Sequence, residues 1–80
     1  MGVKDLPLDS GRRLVRVFEA FGWVANQGKG HIVLQHPNKS PFLKLSIPDH
    51  REVDRFLLRT EIRKAELTPQ QFMDMYKVTL

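Results

Sequence analysis

Residues 23–37, WVANQGKGHIVLQHP, decide the fold that the sequence predicts. We predict short strands at 23–27 and 31–35, joined by the tight turn Gly28-Lys29-Gly30. Glycine accepts positive φ angles at little steric cost, so a Gly-containing turn of this length between two strands is typical of a β-hairpin. His36-Pro37 ends the second strand, because proline has no amide hydrogen to donate to a neighbouring strand. An antiparallel hairpin is therefore expected at the centre of the fold.

Further elements flank this hairpin. Upstream, Asp9 and Ser10 offer a helix N-cap and Gly22 offers a C-terminal stop. Between them, apolar residues recur at the i, i+3, i+4, i+7 spacing of an amphipathic helix. The residues with this spacing are Leu14, Val17, Phe18 and Phe21. Downstream, residues 42–47 predict a third strand, with alternating apolar and polar residues, that ends at Pro48.

Two helices are predicted in the C-terminal third of the chain. Asp49 with Glu52 three residues later resembles a capping box, and the apolar pattern that follows continues to Ala65. The segment 68–71, Thr-Pro-Gln-Gln, is a stronger start signal, with Thr as N-cap, Pro at the first helical position and Gln at the third. A short third helix should therefore begin there.

The predicted order α-β-β-β-α-α places the chain in the α+β class. A three-stranded antiparallel sheet with helices on one face is the simplest packing, and it leaves the other face open to solvent or to a partner. No repeat, low-complexity segment or long linker divides the chain. We expect a single domain, 1–80, with its core at about 10–76.

Composition excludes several classes of protein. The chain has 80 residues, 13 Lys+Arg against 9 Asp+Glu for a net charge of +4, 41% hydrophobic residues and no cysteine. Without cysteine there is no disulfide framework, thiolate zinc site or cysteine nucleophile. No apolar run reaches the roughly 20 residues of a membrane helix, and no signal-peptide pattern precedes the domain. We expect a small cytoplasmic protein without a membrane partner.

The distribution of charge is more informative than the sum. No acidic residue occurs between Glu19 and Asp49, whereas the interval contains Lys29, Lys39, Lys44, His31 and His36. Such asymmetry creates a local positive potential that suits an anionic partner. The alternative is that the three lysines only keep the outer face of the sheet hydrated.

His31 is the best candidate for chemistry, because it begins a strand directly after the Gly-Lys-Gly turn. Histidine titrates near neutral pH, and RNA supplies its own nucleophile, so a base, an acid and a nearby positive charge suffice for cleavage. His31 and His36 are an odd number of residues apart and face opposite sides of a strand, so no metal site is expected. The alternative is a surface histidine without a role.

The hairpin and its flanks resemble a known family. Residues 27–37, QGKGHIVLQHP, are similar to the Q-K-G-S-H-x-x-x-x-H-P segment of the HicA toxin family. Further segments resemble the family pattern in the same order: 10–23, 45–50, 58–67 and 68–72. The sequence departs from that pattern at Gly30, where the family has Ser. It also departs at Glu61 and Glu66, which replace an apolar residue and a Gly.

The resemblance implies a double-stranded-RNA-binding-domain-like α-β-β-β-α fold, here with a short extra C-terminal helix. It also implies the toxin of a toxin–antitoxin system that cleaves mRNA independently of the ribosome and is neutralised by a HicB-type antitoxin. The position that matches the family's catalytic histidine is His31. His36 and His50 match other recurrent positions.

We therefore expect a metal-independent endoribonuclease, an mRNA interferase, that uses His31 as general base or acid and needs no cofactor. RNA contacts are expected at Lys29, Gly30, Lys44 and Lys39; for Lys39 a solvated loop charge is the alternative. The expected partners are mRNA and a HicB-type antitoxin, and the free toxin is expected to be a monomer. The alternative function is a non-catalytic module of the same fold that binds double-stranded RNA or another protein.

Overall fold

The structure, a computed structural model, describes residues 3–79. A short 3-10 turn at Val3–Asp5 precedes three helices and three strands. In chain order these are α1 (Gly11–Ala20), β1 (Val24–Gln27), β2 (His31–Gln35), β3 (Leu45–Pro48), α2 (Arg55–Lys64) and α3 (Pro69–Thr79). The predicted α+β class and the order α-β-β-β-α-α are confirmed. Within the described residues no helix is long and apolar enough to cross a membrane.

The three strands form one antiparallel sheet with β2 in the centre. In β2, His31 lies opposite Pro48 of β3 at one end, and Gln35 lies opposite Val24 of β1 at the other. Side chains alternate between the two faces of a strand, and the face that carries Ile32 packs against the helices. The sheet residues buried on this face are Ile32, Leu34, Leu45 and Ile47.

Helices α1 and α3 complete the core on the side of the sheet that carries Ile32. Phe18 of α1 and Phe72 of α3 are both fully buried, and their ring centroids lie 5.0 Å apart. The predicted caps are present: the Ser10 hydroxyl accepts from Arg13 N, and Thr68 and Gln71 exchange two hydrogen bonds as a capping box.

Two predicted boundaries are wrong. The third strand begins at Leu45 rather than at residue 42, because residues 40–43 form a hydrogen-bonded turn in which Leu43 N donates to Ser40 O at 3.0 Å. Helix α2 begins after Asp54, whose carboxylate accepts from Leu57 N at 3.0 Å, and not at Asp49. The side chain of Asp49 is engaged elsewhere.

The opposite face of the sheet carries no helix of the described chain, as predicted. Asn26 of β1, His31 of β2 and Ser46 of β3 are exposed there, and Val33 is half-buried at its centre. The outward residues of the three strands define this open sheet face, and it includes the predicted site residue His31.

Candidate functional site

His31 is the first residue of β2 and lies on the open sheet face. Its side chain is exposed, and the imidazole makes no hydrogen bond or ion pair with any of residues 3–79. Both ring nitrogens are therefore available to a ligand. An imidazole in this state can accept or donate a proton without first breaking an internal contact.

The turn before His31 is shaped by Gly30, which has φ +73°. A Cβ at Gly30 would meet no atom within 4 Å, so the restriction here is the backbone angle and not crowding. Gly28 N donates to His31 O at 2.8 Å and closes the turn. Gly30 is therefore suited to the left-handed backbone that presents His31, since most residues with a side chain would be strained there.

Asp49 fastens this turn to the rest of the molecule. Its backbone N–H donates to Gly30 O at 3.0 Å, and its carboxylate accepts from Arg12 Nε at 3.2 Å and from Gln27 Nε2 at 3.1 Å. The Arg12 hydrogen bond is the main reason that the pKa of Asp49 lies below its ordinary value, and nearby His50 adds to the effect. Asp49 thus links the N-terminus of α1 to the turn beside His31.

Sequence reasoning missed this link, because it assigned Asp49 to the capping box of a helix. The signal that would have found it is strand register. Once His31 is opposite Pro48, the residues just outside that pair, Gly30 and Asp49, must also be neighbours.

The predicted lysines do not form one cluster. Lys29 is exposed in the turn of the hairpin, two positions before His31 in the chain. Lys44 is also exposed, but it precedes Leu45, which lies opposite Leu34 near the end of β2. At about 3.3 Å per residue along a strand, the ends of β2 are about 13 Å apart. His31 and Lys44 therefore occupy opposite ends of the sheet.

Lys39 forms an ion pair within the protein. Its Nζ lies 3.1 Å from Glu66 Oε1, and its side chain is only 25% exposed. The ion pair ties the loop after β2 to the turn after α2. Lys29 and Gly30 thus belong to the turn that precedes His31, whereas Lys44 lies at the far end of the sheet and Lys39 is engaged in an internal contact.

His36 differs from His31 in having both ring nitrogens engaged. Nδ1 accepts from Asn38 N at 3.1 Å, so it carries no proton, and Nε2 lies 3.0 Å from Phe21 O and donates to it. These bonds specify a neutral ring that packs edge-on against Trp23, with centroids 5.3 Å apart. A Cβ at Gly22 would approach Nε2 to 2.7 Å. His36 is a structural residue that closes the sheet onto the end of α1.

No group of three His, Asp or Glu side chains within residues 3–79 is arranged to hold a metal ion. The surface around His31 instead combines an exposed imidazole, a lysine two positions earlier in the chain and the open sheet face. Such a set can act on an anionic substrate that carries its own nucleophile.

Comparison with known proteins is consistent with this geometry. The family model of HicA, a toxin of bacterial toxin–antitoxin systems, matches residues 11–67. That range runs from the start of α1 to just beyond α2, so it contains the whole sheet and leaves out α3. No individually curated protein matches the chain at a significant level. Because the match covers most of the domain in one continuous stretch, the chain belongs to the HicA toxin family and is the toxin of a toxin–antitoxin system, with a cognate antitoxin as its partner.

Proposed function

We propose that this toxin is an endoribonuclease, an mRNA interferase, in which His31 exchanges the proton of the cleavage reaction. The observation that carries the proposal is the state of His31: it is exposed on the open sheet face, and its ring contacts no polar group of residues 3–79. The segment around it contains no acidic residue from 20 to 48 and would not repel a phosphate backbone.

The chemistry needs few groups, because the 2′-hydroxyl of the substrate is the nucleophile. That oxygen attacks the adjacent phosphorus, the bond from phosphorus to the 5′-oxygen breaks, and the products are a 2′,3′-cyclic phosphate and a 5′-hydroxyl. His31 acts as the base that removes the 2′ proton or as the acid that protonates the leaving oxygen. Lys29 stabilises the negative charge that builds on the phosphate. This scheme requires neither a metal ion nor a cofactor.

The remaining parts of the proposal concern partners. The antitoxin is of the HicB type and inhibits the toxin by covering His31, which is accessible in the free chain. The RNA lies across the open sheet face, where Lys44 adds positive charge at the end remote from His31. We further propose that the free toxin is a monomer that acts on mRNA in the cytoplasm.

The test is the variant His31→Ala. Because the His31 ring makes no internal polar contact, the variant should fold with an unchanged melting temperature. It should nevertheless abolish both growth arrest on induced expression and RNA cleavage by purified, EDTA-treated protein. Lys77→Ala, an exposed substitution on α3, is the control and should keep both activities. Undiminished cleavage by His31→Ala would refute the mechanism. Retarded migration of double-stranded RNA with no product from the wild type would favour the non-catalytic alternative.

A further inference from the structure

Phe42 is the most exposed large apolar residue of the described chain, at 92%. Its exposure is not the result of an unstructured loop. Phe42 N donates to Ser40 Oγ at 3.2 Å, Leu43 N donates to Ser40 O at 3.0 Å, and Gln35 Nε2 donates to Pro41 O at 3.1 Å. The turn is thus hydrogen-bonded internally and attached to the end of β2. This ordered backbone keeps the phenyl ring exposed to solvent.

The surface beside this turn is largely apolar, and the lysine that lines it, Lys39, is paired with Glu66. A shallow groove of about 360 Å³ is lined by Val24, Gln35, His36, Pro37, Lys39 and Pro41. None of these lining residues is acidic, and exposed Lys44 follows Phe42 by two positions. An exposed aromatic ring beside a shallow groove and next to a lysine suits a nucleobase that carries a phosphate on its sugar.

We propose that Phe42 is a stacking platform for a base of the single-stranded RNA substrate, with Lys44 contacting a phosphate next to that base. The inference rests on the proposed function and extends it, because Phe42 and Lys44 lie at the end of β2 remote from His31. A strand with its scissile phosphate at His31 would place a base a few nucleotides away on Phe42. Binding would then require unpaired RNA at that position, since a base in a duplex is already stacked.

An exposed phenyl ring also suits a protein partner, but charge favours RNA. The turn lies within the segment that has no acidic residue from 20 to 48, and Lys44 has no ion-pair partner among residues 3–79. Uncompensated positive charge next to an aromatic ring is the combination with which proteins bind single-stranded nucleic acid.

The experiment measures binding without cleavage. A fluorescein-labelled, fully 2′-O-methylated single-stranded RNA cannot be cleaved, because its 2′ oxygen carries no proton, and its affinity is read by fluorescence anisotropy. Stacking of one base on an aromatic ring corresponds to about 5- to 150-fold in affinity, so Phe42→Ala should weaken binding by at least the lower figure. Phe42→Trp should retain binding and show quenched tryptophan fluorescence on addition of the RNA.

Phe56→Ala is the matched control, because Phe56 is a 67% exposed phenylalanine on α2 and should not affect RNA affinity. Equal affinity of Phe42→Ala and wild type would overturn the proposal and assign the ring to a protein contact instead. Equal weakening by Phe42→Ala and Phe56→Ala would overturn it as well. Weakened binding by Phe42→Ala alone, together with no cleavage of unmodified RNA by wild type, would support the base platform while the nuclease proposal fails.

Discussion

The two histidines at the ends of β2 show how position decides the use of a residue type. His31 begins the strand after a turn that projects from the molecule, and nothing in residues 3–79 engages its ring. His36 follows the strand where the loop returns to α1, and both of its nitrogens are bonded to the backbone. Alternation along the strand predicts that the two rings do not share a ligand. It does not predict that one is structural, because the backbone partners of His36 depend on how α1 packs.

Glu66 has a left-handed backbone conformation that is unfavourable for a residue with a side chain. Its φ is +63°, the only positive φ at a non-glycine among residues 3–79. The backbone N–H of Glu66 donates to Arg63 O at 3.0 Å and that of Leu67 donates to Ile62 O at 3.1 Å, the bonds of a Schellman motif at the end of α2. Glycine is the usual residue at this position, which explains why the HicA pattern has Gly here.

We predict that Glu66→Gly stabilises the protein, because glycine relieves about 1–2 kcal/mol of strain in the left-handed conformation. Loss of the exposed Lys39–Glu66 ion pair offsets this by less than about 1 kcal/mol. Glu66→Ala is the matched control, since it removes the ion pair and keeps the backbone strain. Urea unfolding at neutral pH should give a higher midpoint for the Gly variant than for the Ala variant. Equal midpoints would show that the backbone angle stores no strain.

At the scale of elements, the sequence predicts what is local and fails where long-range contacts decide. The hairpin, the Ser10 cap and the capping box of α3 depend on neighbouring residues, and all three are present. The start of α2 was misplaced because the Asp49 carboxylate is bonded to Arg12, 37 positions away. Likewise, the predicted RNA-binding residues His31 and Lys44 lie at opposite ends of β2, a separation that depends on the pairing of β2 with β3.

Buried Glu61 shows how α2 protects an edge of the sheet. The Glu61 carboxylate accepts from Ser46 N at 2.7 Å and from Lys64 Nζ at 3.1 Å, although its residue is only 5% exposed. Strand β3 is at the edge of the sheet, where unpaired amides can recruit foreign strands. Glu61 replaces an apolar residue of the family pattern. Its carboxylate therefore gives the Ser46 amide at the edge of the sheet a hydrogen-bond acceptor.

The attachment of α3 can be tested through Tyr76. Its hydroxyl donates to Asp9 Oδ2 at 2.7 Å and joins the last helix to the segment before α1. Tyr76→Phe keeps the ring and removes this bond to a charged acceptor, so we expect a loss of about 1–2 kcal/mol in the free energy of unfolding. Val78→Ala, at an exposed position of the same helix, should change it by less than about 0.5 kcal/mol. Similar losses for the two variants in urea unfolding would contradict a specific role for the hydroxyl.

For the whole molecule, the distribution of acidic residues along the sequence determines the charge of the open sheet face. All three strands lie between Glu19 and Asp49, so the acid-free segment forms the open sheet face, and the acidic residues lie outside the strands. The net charge of +4 therefore understates the positive character of that face. Three acids still reach the borders of the sheet: Asp49 beside the hairpin turn, Glu61 at the edge of β3 and Glu66 beside Lys39. All three are held in ion pairs.

Asp9 joins the segment before α1 to α3 and to the loop before α2, and its lowered pKa predicts that the stability of the fold depends on pH. Burial raises its pKa, but hydrogen bonds from Tyr76, Ser10 and Arg13 together lower it below the ordinary value. Its backbone oxygen also accepts from Val53 N at 2.9 Å. A carboxyl group whose pKa is lower in the folded chain stabilises the fold above its unfolded pKa of about 3.9, and this contribution is lost as pH falls through the folded value.

We therefore predict that the free energy of unfolding falls once pH drops below about 4, with Asp49 contributing in the same direction. The pKa of Tyr76 is raised, chiefly by its bond to Asp9, so the same pair should weaken the fold again above about pH 10. Asp9→Asn is the decisive variant: it should be less stable than wild type at pH 7 and lose less stability between pH 5 and pH 3 in urea unfolding. If Asp9→Asn loses as much stability between pH 5 and pH 3 as the wild type, Asp9 does not set the pH dependence. The attachment of α3 to the segment before α1 would then depend on apolar packing alone.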